Sequence, residues 1–202
     1  MVAVLGVGLT FGVYSEGWDR LWVKHLIDHF ALPSPLGLNE VGFLGLLRVC
    51  GLVLSLIASR LLATRLDANH VPSVARTMMW TTALLAGAIL TFAFSRWLAV
   101  SVLALWLVSL SRNVIAPLHE AWVNQRLDSR TRATVISISG QVDALGQIAS
   151  GPIAAMISLW SVRAAIAGAG LLLSPAFPLI ARADRLHANE SASALSAVTE
   201  IE

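Results

Sequence analysis

Between Glu16 and Arg20 the chain places two carboxylates, Glu16 and Asp19, beside a guanidinium, although charged residues make up only 13% of the whole. On a helix, positions i, i+3 and i+4 share a face. Glu16 can then pair with Arg20 inside its own helix, which leaves Asp19 to reach a cation elsewhere. The expected partner is Arg48, on the next apolar segment. Two kinds of chemistry fit this pattern. A carboxylate held against a guanidinium can take up and release a proton and so pair differently in two states. Alternatively, the charges form a static network that fixes helix packing.

Two further stretches carry polar groups inside apolar sequence. In "SISGQVDALGQIASGP", Ser139, Gly140, Asp143, Gln147, Ser150 and Gly151 recur at three- and four-residue steps. Small residues let helices approach closely, so the glycines and serines are expected to form a tight seam. Asp143 is expected to face a cavity. "SLSRNVIAP" places Arg112, Asn113 and Pro117 toward the end of another segment, where Arg112 either snorkels to the interface or serves as a counter-charge, and Pro117 marks a helix end or a kink. Gly8 and Gly12 form a GxxxG pair. The five histidines, His25, His29, His70, His119 and His187, are expected at helix ends, in loops or in the tail, solvated and not metal-binding. The single cysteine, Cys50, excludes an intramolecular disulfide and reads as a packing residue, and no CxxC or Cys/His cluster suggests a metal or other cofactor. No GxSxG accompanies a histidine at matching depth, which argues against an intramembrane serine hydrolase, and an enzyme is not expected.

The elements that must position these residues are membrane helices. Hydrophobic residues make up 56% of the 202, and mean hydropathy is +0.74. A soluble domain carries about 25% charged residues. The pI of 9.3 comes from fourteen basic against twelve acidic residues, too small an excess to suggest a nucleic-acid partner. A membrane helix needs about 20 mostly apolar residues. Five segments satisfy this: Val41–Thr64, Thr77–Phe94, Trp97–Pro117, Ala133–Leu159 and Ser161–Ala181. A sixth, Met1–Phe30, contains the charged cluster. Ending it at Tyr14 would leave about 21 Å of helix, short of the roughly 30 Å hydrocarbon core. Trp18, Leu21, Trp22, Leu26 and Phe30 continue the helical spacing, so the helix is predicted to run on to Phe30. Met1 also falls abruptly in apolar sequence, as though an upstream part were missing. Only Ser95–Arg96 separates the third and fourth helices, which predicts a tight hairpin.

Basic residues set the orientation. Arg60, Arg65, Arg76, Arg126, Arg130, Arg132, Arg182 and Arg185 fall on one set of loops, against Lys24, Arg96 and Arg163 on the other. The first set is expected in the cytoplasm, with both termini. The fold class expected is therefore an all-α membrane protein of six transmembrane helices over residues 1–185, followed by a disordered cytoplasmic tail, 186–202.

The segments "SEGWDRLW" and "PLHEAWVNQRLDSRTRATVISISGQVDALGQIASGPIAA", with "RATVISISGQ" the most specific part, resemble the C-terminal half of major facilitator superfamily transporters, in particular bacterial drug-efflux-like permeases. The resemblance covers 1–185 and implies a half-bundle corresponding to that family's seventh to twelfth helices, in a bacterial plasma membrane. It departs from the family in offering one half where two are usual, and in the degraded loop motif "ASRLLATRLD", where Arg60, Arg65 and Asp67 stand for the usual charges. It implies a proton-coupled transporter, or antiporter, that exports small hydrophobic molecules by alternating access. In that reading Glu16, Asp19 and Asp143 couple protons, Arg20, Arg48 and Arg112 act as counter-charges or gates, and Asn113, Gln141 and Gln147 line the substrate path. The implied partners are the lipid bilayer, the small-molecule substrate, and a missing N-terminal half or a second copy. The rival reading is a non-transporting membrane subunit or an inactive remnant.

Overall fold

The computed structural model describes residues 2–63, 71–124 and 129–185. Helices account for nearly all of them. They are α1 (Val2–His29), α2 (Glu40–Ala63), α3 (Val71–Phe94), α4 (Leu98–Asn124), α5 (Ser129–Trp160) and α6 (Val162–Leu171); a single 3-10 turn, Pro35–Gly37, lies between α1 and α2. After α6 the ladder breaks over 172–175 and helix resumes over 176–185. Pro175 lies in this break and has no N–H to donate, so the predicted segment carries a turn of three-residue hydrogen bonds within one membrane-length stretch. The predicted tail, His70, His187, and the loop residues Arg65 and Asp67 lie outside the described residues.

Five helical stretches are long and apolar enough to cross a membrane: Glu40–Leu61, Val74–Phe94, Leu98–Asn124, Ala133–Trp160 and Val162–Arg185. The first helix continues through the charged cluster to His29, as its apolar spacing predicts; its 28 residues measure about 42 Å. Apolar surroundings require each helix to satisfy its own backbone and polar side chains. Thr10, Thr82 and Thr91 accordingly donate to the carbonyls of Gly6, Met78 and Gly87, four residues back, at 2.8 Å each. Asn39 caps α2 by accepting from the Gly42 amide at 2.9 Å, and Ser161 caps α6 by accepting from Ala164 at 3.1 Å.

The packing has an internal regularity. The principal contacts are α1 with α5 and α6, α4 with α2 and α3, α3 with α6, and α5 with α6. Exchanging α1 for α4, α2 for α5 and α3 for α6 carries all of these onto one another except α5–α6. Two three-helix units, α1–α3 and α4–α6, thus pack through swapped partners. Two apolar clusters fill the interior. One joins Trp18 and Leu26 to Phe92, Val108 and Ile166, with the Trp18 and Phe92 rings edge-on at 4.9 Å; the other joins Val7, Met78, Trp122 and Ile180.

The α1–α5 contact is a backbone seam. A Cβ on Gly12 would lie 2.1 Å from the Asp143 carbonyl oxygen, and one on Gly146 would lie 2.9 Å from the Leu9 carbonyl. The expected seam is therefore present, with Ser139, Ser150 and Gly151 buried in it. Gly140 is not part of it: a Cβ there would meet nothing within 4 Å. Gly146, which the sequence reading passed over, is. The α2–α4 contact has its own polar tie, the Trp106 indole donating to the Leu47 carbonyl at 3.0 Å.

Pro117 does not end α4, which runs on to Asn124. Its ring removes only the hydrogen bond to the carbonyl four residues back, and packing on both sides holds the helix together. Continuation past Pro117 overturns the expectation for His119. This residue lies inside α4, its Nε2 is buried, and its ring meets Phe11 at 6.0 Å and Trp122 at 6.1 Å. His25 departs further. It is fully buried, stacked on His29 at 4.5 Å and packed against Phe92 at 4.9 Å, and neither ring nitrogen makes a hydrogen bond of good geometry. Neither histidine is solvated surface.

Candidate functional site

The charged residues of α1 do not form one cluster. Glu16 and Arg20 pair with each other, as their spacing predicts, on the side of α1 that meets Gly151 of α5. Asp19 turns the other way, toward α4. There Arg112 grips it with both arms of the guanidinium, Nη1 donating to Oδ1 at 2.5 Å and Nη2 to Oδ2 at 2.8 Å. The expected Asp19–Arg48 pair is therefore absent. Adjacency in sequence suggested it, but Arg48 is held over Trp22, and Arg112 is the guanidinium that meets Asp19.

Arg48 instead sits over the indole of Trp22, its guanidinium carbon 5.9 Å from the ring centroid. That is within the range of a cation–π contact. Among the described residues no carboxylate lies within ion-pair distance of Arg48. It stands eight residues inside α2, about 12 Å from the helix start. An arginine near a membrane helix centre costs about 2.5–3.5 kcal/mol, so such residues face cavities or partners. Arg48 does face one. Together with Asp19, Arg112, Asn113, Trp18 and Trp22 it lines an open cavity of about 460 Å³ between α1, α2 and α4.

A second groove, about 290 Å³, lies on the other side of Arg112, between α1, α4 and α5. Tyr14, Arg112, His119, Asp143 and Gln147 line it, and the Arg112 guanidinium lies 6.0 Å from the Tyr14 ring. Gln147 donates to Asp143 Oδ2 at 2.8 Å. A third, of about 230 Å³, shares Asp143 and His119 and reaches Glu120. Arg112 thus belongs to the first two cavities and Asp143 to the last two. The three make one polar track along the molecule, from Arg48 past the Asp19–Arg112 pair to Asp143 and Glu120.

Of the residues singled out in the sequence, Asp19, Arg48, Arg112, Asn113, Asp143 and Gln147 are on this track. Glu16, Arg20 and Gln141 are not; Gln141 is exposed on α5 and lines none of the three cavities. Tyr14, Trp18, Trp22 and His119 line the track without having been singled out. The aromatics read as core, and His119 was masked by the assumed helix end at Pro117. Comparison of the chain with protein-family models, with characterised proteins and with solved structures yields no match.

Proposed function

We propose that the chain is an integral membrane protein that acts as a secondary transporter, or one half of one, moving small hydrophobic molecules by proton-coupled alternating access. The observation that carries this reading is the Asp19–Arg112 pair. It joins the first helices of the two three-helix units, α1 and α4, which are not among the closely packed helix pairs, and it lines an open cavity. Protonation of Asp19 would remove the charge that Arg112 holds and loosen a strong polar link between those helices. That is the kind of two-state element that alternating access requires. The swapped packing of α1–α3 and α4–α6 supports the same reading, since inverted three-helix repeats are a recurrent plan of transporter halves, with the substrate site at the repeat interface. Asp143, held by Gln147 on the next groove, is a second proton acceptor on the same track.

The test is proton flux into pyranine-loaded proteoliposomes on addition of anionic, neutral and cationic hydrophobic probes. At least one probe is expected to evoke flux in the parent chain. Asp19→Asn is expected to lower it about tenfold or more, as loss of an essential proton carrier would. Flux that is unchanged in both Asp19→Asn and Asp143→Asn would rule out the coupling role. No flux with any probe would favour the non-transporting membrane subunit.

A further inference from the structure

We infer that the cavity between α1, α2 and α4 takes an organic anion, a molecule with one carboxylate- or phosphate-like group on an apolar, preferably aromatic, body. The inference rests on the transporter reading for the fate of the ligand, but on the cavity alone for its chemistry. Two guanidiniums and one carboxylate line the space, and the carboxylate of Asp19 is taken up on both oxygens by Arg112. What remains is the formal positive charge of Arg48. Its guanidinium carbon lies 5.9 Å from the Trp22 ring centroid, and no ion pair among the described residues engages its N–H fork. That fork matches the two oxygens of a carboxylate or phosphate group. Asn113 adds a polar group to the lining. The rest of the lining includes apolar and aromatic side chains, from Trp18, Trp22, Leu47 and Leu105. The volume, about 460 Å³, falls in the range of about 300–1,000 Å³ typical of small-molecule sites. A cationic ligand would face an unpaired arginine, and a neutral one would leave it unpaired.

The experiment measures calorimetric binding to the full chain in nanodiscs of zwitterionic lipid. The probes are 2-naphthoate, neutral 2-naphthamide and 2-naphthylmethylammonium, which share one ring system. Naphthoate is expected to bind about tenfold or more tightly than the amide, in line with one charge-assisted contact. Arg48→Gln is expected to bring the two to parity, while Arg48→Lys keeps part of the preference. Amide or ammonium binding equal to naphthoate, no saturable naphthoate binding, or full preference in Arg48→Gln would each overturn the inference. Should Arg48→Gln fail to fold, the ranking of the three probes on the parent chain decides by itself. Repeating the titration in nanodiscs containing phosphatidylglycerol separates the sources of the anion: unchanged affinity supports a soluble ligand, and competition would assign the site to a lipid headgroup and overturn a soluble one. Binding of naphthoate without proton flux would leave this inference standing and sink the transporter reading; flux without charge preference would do the reverse.

Discussion

Asp19 on α1 and Arg112 on α4 are joined by two parallel hydrogen bonds, 2.5 and 2.8 Å long, across 93 positions of sequence. Their side chains are 41% and 32% exposed to the groove, so the pair is neither a surface bridge nor a fully buried one. Hydrogen bonds to charged groups contribute about 1.5–3 kcal/mol, and loss of one partner leaves the other unpaired. Asp19→Asn and Arg112→Gln are each expected to lower stability by roughly that amount. The double substitution should cost less than the sum of the two. Thermal unfolding of the four proteins in detergent checks this, and strict additivity would show that the two residues do not interact.

Glycine substitutions should separate the α1–α5 seam from open helix surface. Gly12→Ala would place a methyl group 2.1 Å from the Asp143 carbonyl oxygen, backbone that cannot yield without moving the helix. Overpacking of this kind costs about 1–3 kcal/mol or more. At Gly140 and Gly87 the added methyl meets nothing within 4 Å, and alanine is the better helix former by about 1 kcal/mol. Gly12→Ala is therefore expected to lower the melting temperature, and Gly140→Ala and Gly87→Ala to leave it unchanged or raise it.

The Trp106 indole and the Leu47 carbonyl tie α4 to α2. Trp106→Phe keeps an aromatic ring and removes the donor. Measured interhelical hydrogen bonds in membranes average about 0.6 kcal/mol and reach about 1.7. A loss within that range is expected on chemical denaturation, and no loss would mean that water or another donor replaces the indole.

His25 is a polar ring enclosed by Phe30, Phe92 and His29. Burying a polar group without a good hydrogen bond is unfavourable. His25→Leu is expected to hold or raise thermal stability. A large destabilisation would show that the imidazole has a polar role in the core.

Topology can be read by labelling in a Cys50→Ser background. Trp97 and Trp160, 75% and 93% exposed, flank the connections between α3 and α4 and between α5 and α6, where aromatic anchors of one membrane interface belong. Ser34→Cys and Arg96→Cys are expected to react with an impermeant maleimide on intact cells, and Arg182→Cys only after permeabilisation. The opposite pattern would invert the proposed orientation.

What the sequence determined by itself is local. Apolar run lengths set five helices long enough to span, and the spacing of Trp18, Leu21, Trp22 and Leu26 carried α1 through its charges, because a 3.6-residue period is visible in one dimension. The i, i+4 spacing likewise paired Glu16 with Arg20. Which helix lies beside which is not local. The sequence order α1, α2 suggested Asp19 with Arg48, but in the fold Arg112 of α4 meets Asp19, although α1 and α4 are not closely packed. The same fold left Arg48 over Trp22 and drew His25 and His119 into the interior. Pro117 reads as a stop in one dimension, since it lacks a donor. In three dimensions its helix continues, because packing on Trp122 and Leu118 outweighs one missing hydrogen bond. Helix partners depend on side-chain fit summed over whole faces, which no single window of sequence contains, and that fit decided the polar track.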